Sequence, residues 1–143
     1  MKKYKSTLLI LTLLLVISLL LPACNGKDKK DGRFEYTGEP DDYGWTVEAW
    51  IDVEDGQIID GYFDYVDENG NKKSEDEEYI QVMMEASEQN TNISEVINYL
   101  ENYLENNTDV DSIDADAVSG ATSTTDKFIE IAEELYKDAG LYE

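Results

Sequence analysis

The stretch WTVEAWIDVEDGQIIDGYFDYV, residues 45–66, decides the fold. In its first half every second side chain is apolar, which predicts a half-buried strand whose inward face is Trp45, Val47, Ala49, Ile51 and Val53. In its second half, Ile59, Gly61, Phe63 and Tyr65 fall on one face of a second strand. Glu54-Asp55-Gly56 between them supplies a turn in which glycine can take a positive φ. The stretch therefore predicts a β-hairpin, and we expect residues 33–38 to add a short leading strand.

After a loop at residues 67–71, the apolar period changes from two to that of a helix. Three segments have helical spacing: Tyr79, Val82, Met83 and Ala86; Ile93, Val96, Ile97, Leu100 and Leu104; and Phe128, Ile131, Ala132, Leu135, Tyr136 and Ala139. Gly140 is predicted to end the last helix, and Val110 and Ile113 indicate a short returning strand. Strands first and helices later predict an α+β domain, a small antiparallel sheet with packed helices.

The first 24 residues have the parts of an export signal. Met1-Lys2-Lys3-Tyr4-Lys5 is positively charged, residues 8–21 are almost entirely apolar, and Leu21-Pro22-Ala23-Cys24 follows. The form Leu-x-Ala-Cys resembles the lipobox of bacterial lipoproteins, which implies cleavage before Cys24 and a lipid on that residue. The alternative is an uncut membrane anchor, but the apolar stretch is shorter than the roughly 20 residues that a full span needs.

These features divide the chain into three parts. Residues 1–23 are predicted to be a lipoprotein signal peptide, and residues 24–31 a flexible tether, because NGKDKKD at 25–31 is polar and has no periodicity. Residues 32–143 are predicted to be one folded domain. The expected location is the extracytoplasmic face of the cell membrane, held there by the lipid anchor.

The composition argues against several kinds of site. The 143 residues include no histidine, and Cys24 is the only cysteine. Catalysis by Ser-His-Asp or Cys-His, a thiolate metal site and a histidine haem ligand are therefore not expected, and any redox chemistry must come from a bound cofactor. The net charge of −22 would become −25 once the lysines of residues 1–23 are removed. Such a charge repels nucleic acid and favours cationic partners, so we expect no nucleic-acid binding. Without a histidine, a free cysteine or a convincing metal cluster, the chain offers no nucleophile–base pair, so we do not expect a stand-alone enzyme.

One segment partly matches a calcium-binding loop. Asp67-x-Asn69-x-Asn71, with Glu78 at the twelfth position, places oxygen-bearing side chains at the alternate positions of an EF-hand. However, Lys72 stands where that loop needs glycine, and the preceding segment is predicted to be a strand. A turn that leads into an acidic helix N-terminus is the better interpretation, and we predict no metal site.

The stretch DADAVSGATSTTDKF, residues 114–128, precedes the last helix and is rich in small and hydroxyl side chains. Gly120 and Ala121 leave backbone N–H groups accessible, and the helix dipole adds partial positive charge at that end. These features suit a phosphate group without any lysine or arginine. The alternative is plain capping, because Ser123-Thr124-Thr125-Asp126 resembles a capping box with aspartate in the last place.

The segment Asp116-Ala117-Val118-Ser119-Gly120-Ala121-Thr122 matches the pattern Asp-x-x-Ser/Thr-Gly-Ala-Thr/Ser. This pattern resembles the flavinylation motif of the FMN-binding domain family. Relatives in that family include the C subunit of sodium-pumping NADH:quinone oxidoreductase, the G subunit of Rnf complexes, and surface lipoproteins of Gram-positive extracellular electron transfer. Tyr36-Thr37-Gly38-Glu39 resembles the family's opening strand and turn, although Arg33-Phe34-Glu35 makes that opening longer. The resemblance spans residues 31–140, and only the motif is specific.

The resemblance implies an FMN-binding domain over residues 32–143, with FMN joined covalently to Thr122 by a phosphodiester. In that family an exported flavin transferase splits FAD and makes the bond. A threonine hydroxyl is a poor nucleophile without a base, and this chain has no histidine, so Thr122 is predicted to be a substrate of the transferase rather than a catalyst. The remaining residues of the cofactor-binding loop are Asp116, Ser119, Gly120 and Ala121.

The resemblance further implies a membrane-tethered electron carrier that receives electrons from a membrane reductase or quinol oxidoreductase. Trp45, Tyr43 and Trp50 are candidates for stacking on the flavin ring, although core packing and cross-strand pairing also explain each of them. Two other functions stay open. One alternative is a surface lipoprotein that binds FMN or another small ligand noncovalently, without electron transfer. The other is a structural surface lipoprotein with a degenerate site.

Overall fold

The structure is a computed structural model that describes residues 29–88, 90–114 and 117–141. Three antiparallel strands form one sheet in the order β1-β2-β3: β1 is Gly32–Thr37, β2 is Thr46–Glu54 and β3 is Gln57–Val66. Three helices follow: α1 is Glu77–Ala86, α2 is Ile93–Asn106 and α3 is Thr122–Asp138. Short 3-10 turns lie at Lys73–Glu75 and Val110–Ser112. This is the α+β architecture predicted from the sequence, with helices packed on a small antiparallel sheet.

The predicted hairpin is confirmed. Strands β2 and β3 pair antiparallel from Thr46↔Val66 onward, and Asp55 and Gly56 make the turn with φ of 51° and 69°. Two successive positive φ values match the right-handed twist of the strands, which is why an Asp-Gly pair suits this position. On β2, the predicted inward face is buried from Val47 to Val53, and Trp45 at its start is half-buried.

A β-bulge in β3 changes one predicted orientation. Asp52 pairs with Asp60 but Val53 pairs with Ile58, so Ile59 is an extra residue without a partner. Ile58 consequently packs against the core, whereas Ile59 is 60% exposed. The prediction that Ile59 shares a face with Phe63 is therefore wrong, because the bulge inverts the alternation of side chains at that point.

The core lies between the sheet and helices α2 and α3. Phe63 of β3 packs edge-on against Phe128 of α3, with ring centroids 5.1 Å apart, and Tyr103 of α2 contacts the same Phe128 ring at 6.3 Å. These residues and the apolar stripes of both helices are buried. Helix α1 is at the edge of this core, because none of its residues is fully buried and only Met83 packs partly against the core.

The segment around Val110 forms a 3-10 turn, so the prediction of a returning strand is wrong. Local hydrogen bonds explain the difference: the Asp109 carboxylate accepts from the Asp111 N–H at 2.9 Å, and the Tyr103 hydroxyl contacts the Asp109 carbonyl and the Ser112 hydroxyl. Such side-chain bonds compete with strand pairing. Val110 is still buried, so its apolar character serves the core without a strand.

Helix α3 ends as predicted at Gly140, whose φ is +72°. The Leu141 N–H donates to the Tyr136 carbonyl at 2.8 Å and the Gly140 N–H to that of Lys137 at 3.1 Å, so the last carbonyls of the helix are satisfied. Among the residues that the structure describes, no helix has the length and apolar character to cross a membrane. The predicted signal peptide, Cys24 and residues 25–28 of the tether lie outside the described residues.

Candidate functional site

Residues 117–121 turn tightly into the start of α3. The Ala117 N–H donates to the Asp114 carbonyl at 3.1 Å and the Ala121 N–H to the Val118 carbonyl at 3.0 Å. Val118 and Ala121 are buried in the core, whereas Gly120 is exposed and Ser119 is half-buried. Two buried apolar side chains therefore anchor this loop, which we call the SGAT loop (residues 119–122), and hold its glycine at the surface.

Gly120 has a φ of +81°, in the left-handed region that side chains disfavour. An ideal Cβ at this position would meet only the Ser87 Oγ, at 3.8 Å. Backbone conformation, and not crowding, is therefore what favours glycine here. The space beside Gly120 is open, so a bulky group has room to approach the main chain.

Helix α3 begins at Thr122, and its N-cap is Ala121, which provides no side-chain cap. The alternative interpretation, a capping box that starts at Ser123, is therefore wrong, because Ser123 lies inside the first helical turn. The Thr125 hydroxyl instead bonds backwards, donating to the Ala121 carbonyl at 3.0 Å. The first N–H groups of a helix have no partner within it and carry the positive end of its dipole. Thr122 thus stands where an anionic group would be stabilised.

Exposure separates the hydroxyl side chains at the start of α3. Thr122 and Ser123 are exposed, whereas Thr124 and Thr125 are buried. The Thr124 side chain lies close enough to the Tyr65 hydroxyl to act against the rise that burial causes in the pKa of Tyr65, so the first turn of α3 lies near β3. The structure therefore brings Ser119, Gly120, Ala121 and Thr122 together at one surface loop. Asp116, the fifth predicted residue of the site, and the lipidation residue Cys24 lie outside the described residues.

The three aromatic candidates for flavin stacking are in different surroundings. Tyr43 is 88% exposed in the loop before β2, and Trp45 is half-buried. Trp50 is stacked on its cross-strand partner Tyr62, with centroids 6.0 Å apart, and the Arg33 guanidinium lies 3.8 Å from its ring centroid. Cross-strand pairing therefore accounts for Trp50. Side chains of a strand alternate between faces, so Trp45 and Trp50 are not brought to one site.

A lysine in an aromatic cage is the feature that sequence reasoning missed. Lys73 is 9% exposed, and its Nζ lies 4.5 Å from the ring centroid of Tyr79, 5.0 Å from that of Tyr65 and 5.7 Å from that of Trp45. We call Trp45, Tyr65 and Tyr79 the Lys73 cage. Its members come from three separate parts of the chain, so no local pattern signals it. In the sequence, Lys73 is merely the residue after Lys72, which argues against calcium binding, and nothing there marks it as part of a cage.

The charge environment of Lys73 is mixed. Burial lowers the pKa of Lys73, while the carboxylates of Asp41, Asp64 and Asp76 act in the opposite direction. The faces of the surrounding rings also favour a cation, because they carry partial negative charge. The aromatic faces and the nearby carboxylates thus partly offset the free-energy cost of removing the Lys73 charge from water.

Asp64 fixes the turn that carries Lys73. Its side chain is buried, accepting from the Ser74 hydroxyl at 2.5 Å and from the Ser74 and Tyr65 N–H groups at 3.3 and 2.7 Å. Burial raises the pKa of Asp64, although these hydrogen bonds oppose the shift. Because Ser74 follows Lys73 directly, Asp64 joins the 3-10 turn to β3 and holds the cage together.

The segment that partly matches a calcium loop is a turn that holds itself. The Asp67 carboxylate accepts from the N–H groups of Asn69 and Asn71, each at 2.8 Å, and from the Asn71 amide, also at 2.8 Å. These bonds lower the pKa of Asp67. The segment before it is strand β3, as predicted, so the helix that opens an EF-hand is replaced by a strand. Across residues 29–88, 90–114 and 117–141, no group of three or more acids could hold a metal ion.

Comparisons with known proteins place the chain by structure. No family model and no curated protein matches it. The crystal structure of the CPE2226 protein from Clostridium perfringens is 30% identical, with a TM-score of 0.65, over 77% of this chain and 88% of that one. A solution NMR structure from Clostridium thermocellum is 25% identical, with a TM-score of 0.48, over 80% of this chain and 95% of that one. Neither description names an activity or a ligand. The chain belongs to one family with the CPE2226 protein of Clostridium perfringens and shares its fold.

Proposed function

We propose that the chain is a membrane-tethered, extracytoplasmic flavoprotein electron carrier, with FMN attached covalently to Thr122 by a flavin transferase. The observation that carries this proposal is the exposed Thr122 at the first position of α3, directly after the open, left-handed Gly120. Exposure leaves Thr122 and Ser123 as the accessible hydroxyls in this turn, and the resemblance to the flavinylation motif selects Thr122.

The SGAT loop suits the phosphate of FMN. Gly120 offers open space on one side, and the side chain of Ala121 is turned into the core, so neither blocks an attached group. The N-terminus of α3 stabilises negative charge through its N–H groups and dipole. When bound, the flavin supplies the one- and two-electron chemistry that the side chains of this domain lack.

The charge of the chain favours a covalent link over a noncovalent site. A net charge of −22 repels free FMN, which is itself an anion. Lys127 is the basic residue within the first two turns of α3, and it is already paired with Glu130 at 2.6 Å. A phosphodiester carries less negative charge than the free phosphate of FMN. A covalent bond also retains FMN whatever the affinity of the domain for the free molecule. These points support retention of FMN by a bond to Thr122.

A bond to the Thr122 hydroxyl needs a base, and this chain has no histidine, the residue that most often acts as one. The proposal therefore assigns activation of the hydroxyl to the transferase. Thr122 contributes position and accessibility, and the anchored residues Val118 and Ala121 keep it at the surface.

The test is to co-express the full chain with a flavin transferase and to examine denatured protein for in-gel flavin fluorescence. We expect fluorescence from the wild-type chain and from Ser123→Ala, the matched exposed control, and none from Thr122→Val. Fluorescence that survives Thr122→Val, or that is lost in Ser123→Ala alone, would contradict the assignment. Flavin that purifies with the native protein but leaves on denaturation would instead support noncovalent binding.

The tether is tested separately by fractionating cells that express the full chain. We expect the wild-type chain in the membrane fraction, and Cys24→Ala to lack the lipid and to lose the cleavage that depends on it. An unchanged migration and lipid content in Cys24→Ala would count against a lipoprotein.

A further inference from the structure

Two independent routes connect the Lys73 cage to the SGAT loop. In the first, Tyr65 of the cage lies close enough to Thr124, two residues after Thr122 on α3, for that side chain to act against the rise that burial causes in the pKa of Tyr65. In the second, α1 runs from Tyr79 of the cage to its C-cap Ser87, whose Oγ is the nearest atom to an ideal Cβ on Gly120. Eight residues of helix span about 12 Å. The cage and the SGAT loop are therefore connected through α1 and through the first turn of α3, and the α1 route separates them by about 12 Å.

Lys73 differs from the other cations around it in how its charge is held. Arg33, Lys127 and Lys137 form the three ion pairs found among the described residues, and Lys73 takes part in none of them. Its ammonium instead lies against the faces of Tyr65 and Tyr79 and is 91% shielded, since its exposure is 9%. A charge shielded from water acts over a longer range than an exposed one.

We propose that Lys73, held in the cage of Trp45, Tyr65 and Tyr79, is a positioning residue that raises the reduction potential of the flavin carried by this domain. The inference rests on the proposed function, because it concerns the FMN assigned to Thr122. Taking up two electrons and one proton converts the neutral isoalloxazine ring into an anionic hydroquinone. A fixed positive charge nearby favours that anion over the oxidised ring, whereas the many carboxylates of the chain oppose it.

Asp64 and Asp76 are part of this arrangement because they flank Lys73 without neutralising it in an ion pair. Asp64 anchors the turn through Ser74, and the Asp76 carboxylate accepts from the Tyr79 N–H at 3.0 Å as the N-cap of α1. Both carboxylates thus have structural hydrogen bonds that fix the cage. These bonds therefore hold Lys73 at a defined place relative to β3 and α1.

The experiment compares two neighbouring lysines. Lys72 lies over the ring of Tyr62 at 5.0 Å, and Tyr62 and Tyr65 point to opposite faces of β3. Lys73→Gln and Lys72→Gln therefore remove the same charge from adjacent residues on opposite sides of the sheet. Both variants of the full, flavinylated chain are titrated by spectroelectrochemistry, and their thermal unfolding is recorded alongside.

For Lys73→Gln we expect a tenfold fall in the ratio of reduced to oxidised flavin at a fixed potential, a shift of about 30 mV to lower potential for a two-electron couple. Lys72→Gln should shift the reduction potential much less, and Lys73→Arg should have a potential close to that of the wild-type chain. Equal shifts for Lys72→Gln and Lys73→Gln, or no shift in Lys73→Gln, would overturn the inference while leaving the flavin on Thr122 intact. Absence of flavin from the wild-type chain would instead overturn the proposed function.

A second variant decides the matter if Lys73→Gln does not fold. Tyr79 is 39% exposed on α1, so Tyr79→Leu opens the cage to water with little disturbance of the core. Water would then screen the Lys73 charge, and we expect the potential to fall in the same direction but by less. An unchanged potential in folded, flavinylated Tyr79→Leu would refute the role of the cage.

Discussion

Two glycines with the same backbone conformation allow the conformational cost at the SGAT loop to be separated from its function. Gly120 and Gly70 each have a φ of +81°. An ideal Cβ meets nothing within 4 Å at Gly70 and only the Ser87 Oγ at 3.8 Å at Gly120. Substitution by alanine therefore adds left-handed strain at both positions without a steric clash at either.

The strain costs about 1–2 kcal/mol for a side chain in the left-handed region. Removing glycine also restricts the unfolded chain, which offsets about 0.4–1 kcal/mol. We therefore expect Gly120→Ala and Gly70→Ala each to lose about 1 kcal/mol of unfolding free energy, a fall of about 4 °C in the midpoint of thermal unfolding for a domain of this size. Urea denaturation followed by circular dichroism measures the loss of unfolding free energy in both variants, and a thermal scan measures the shift in midpoint.

The two variants should differ in flavin attachment. Gly120→Ala forces a side chain into the left-handed conformation and alters the loop that the transferase must accept, so its flavin fluorescence should fall. Gly70→Ala, in the loop after β3, should be labelled like the wild-type chain. Gly120→Ala with wild-type stability would refute the left-handed assignment at this loop. Equal labelling of both variants would refute the need for glycine in modification.

Three further predictions concern stability. Thr122→Val should change the unfolding free energy by less than about 0.5 kcal/mol because its side chain is exposed, whereas Thr125→Val should cost about 1 kcal/mol because the buried Thr125 hydroxyl loses its bond to the Ala121 carbonyl; chemical denaturation of both variants checks the contrast. Phe128→Ala should cost about 3–5 kcal/mol, since Phe128 is fully buried against Phe63, and a cost under about 1 kcal/mol would contradict the described core. Burial raises the pKa of Asp64 above 3.8, so its contribution to stability is complete below that value and is lost as the pH rises through the folded-state pKa. The stability difference between the wild-type chain and Asp64→Asn, measured by chemical denaturation, should therefore shift in favour of the wild-type chain as the pH is lowered from neutral toward 3.8, and a difference that does not depend on pH would contradict the shift.

The hairpin could be predicted because its alternation is local and strong. From Val47 to Val53 the inward face is the one that the sequence indicates, and the Asp55-Gly56 turn fixes the pairing. Ile59 could not be placed correctly, because the bulge that turns it outward depends on how β3 pairs with β2. Periodicity predicts faces only while the register is regular.

The start of α3 was predicted less well than its end. Gly140 carries a local signal for a helix C-terminus, and the structure uses it. At the other end, Thr124 and Thr125 are buried and the Thr125 hydroxyl donates to the Ala121 carbonyl, so neither residue caps the helix, which begins at Thr122. Several adjacent hydroxyl residues offer equivalent caps in the sequence, and only the packing against β3 chooses among them.

The candidate site likewise has one part that the sequence predicts, the SGAT loop, and one part that it does not, the Lys73 cage. Ser119 to Thr122 are consecutive residues, so the motif itself brings them together. The Lys73 cage requires a residue before β2, a residue of β3 and a residue of α1 to meet around a lysine from a 3-10 turn. Such contacts depend on the tertiary structure and have no periodic signature.

The central claim concerns one oxygen atom, the Thr122 hydroxyl. The most direct measurement is fragmentation mass spectrometry of the peptide that contains residues 117–127, prepared from the full chain after co-expression with a flavin transferase. The account predicts a single adduct with the mass of FMN less water, located on Thr122 and absent from Thr122→Val. An adduct on Ser123, or an unmodified peptide when the transferase is active on another substrate, would contradict it.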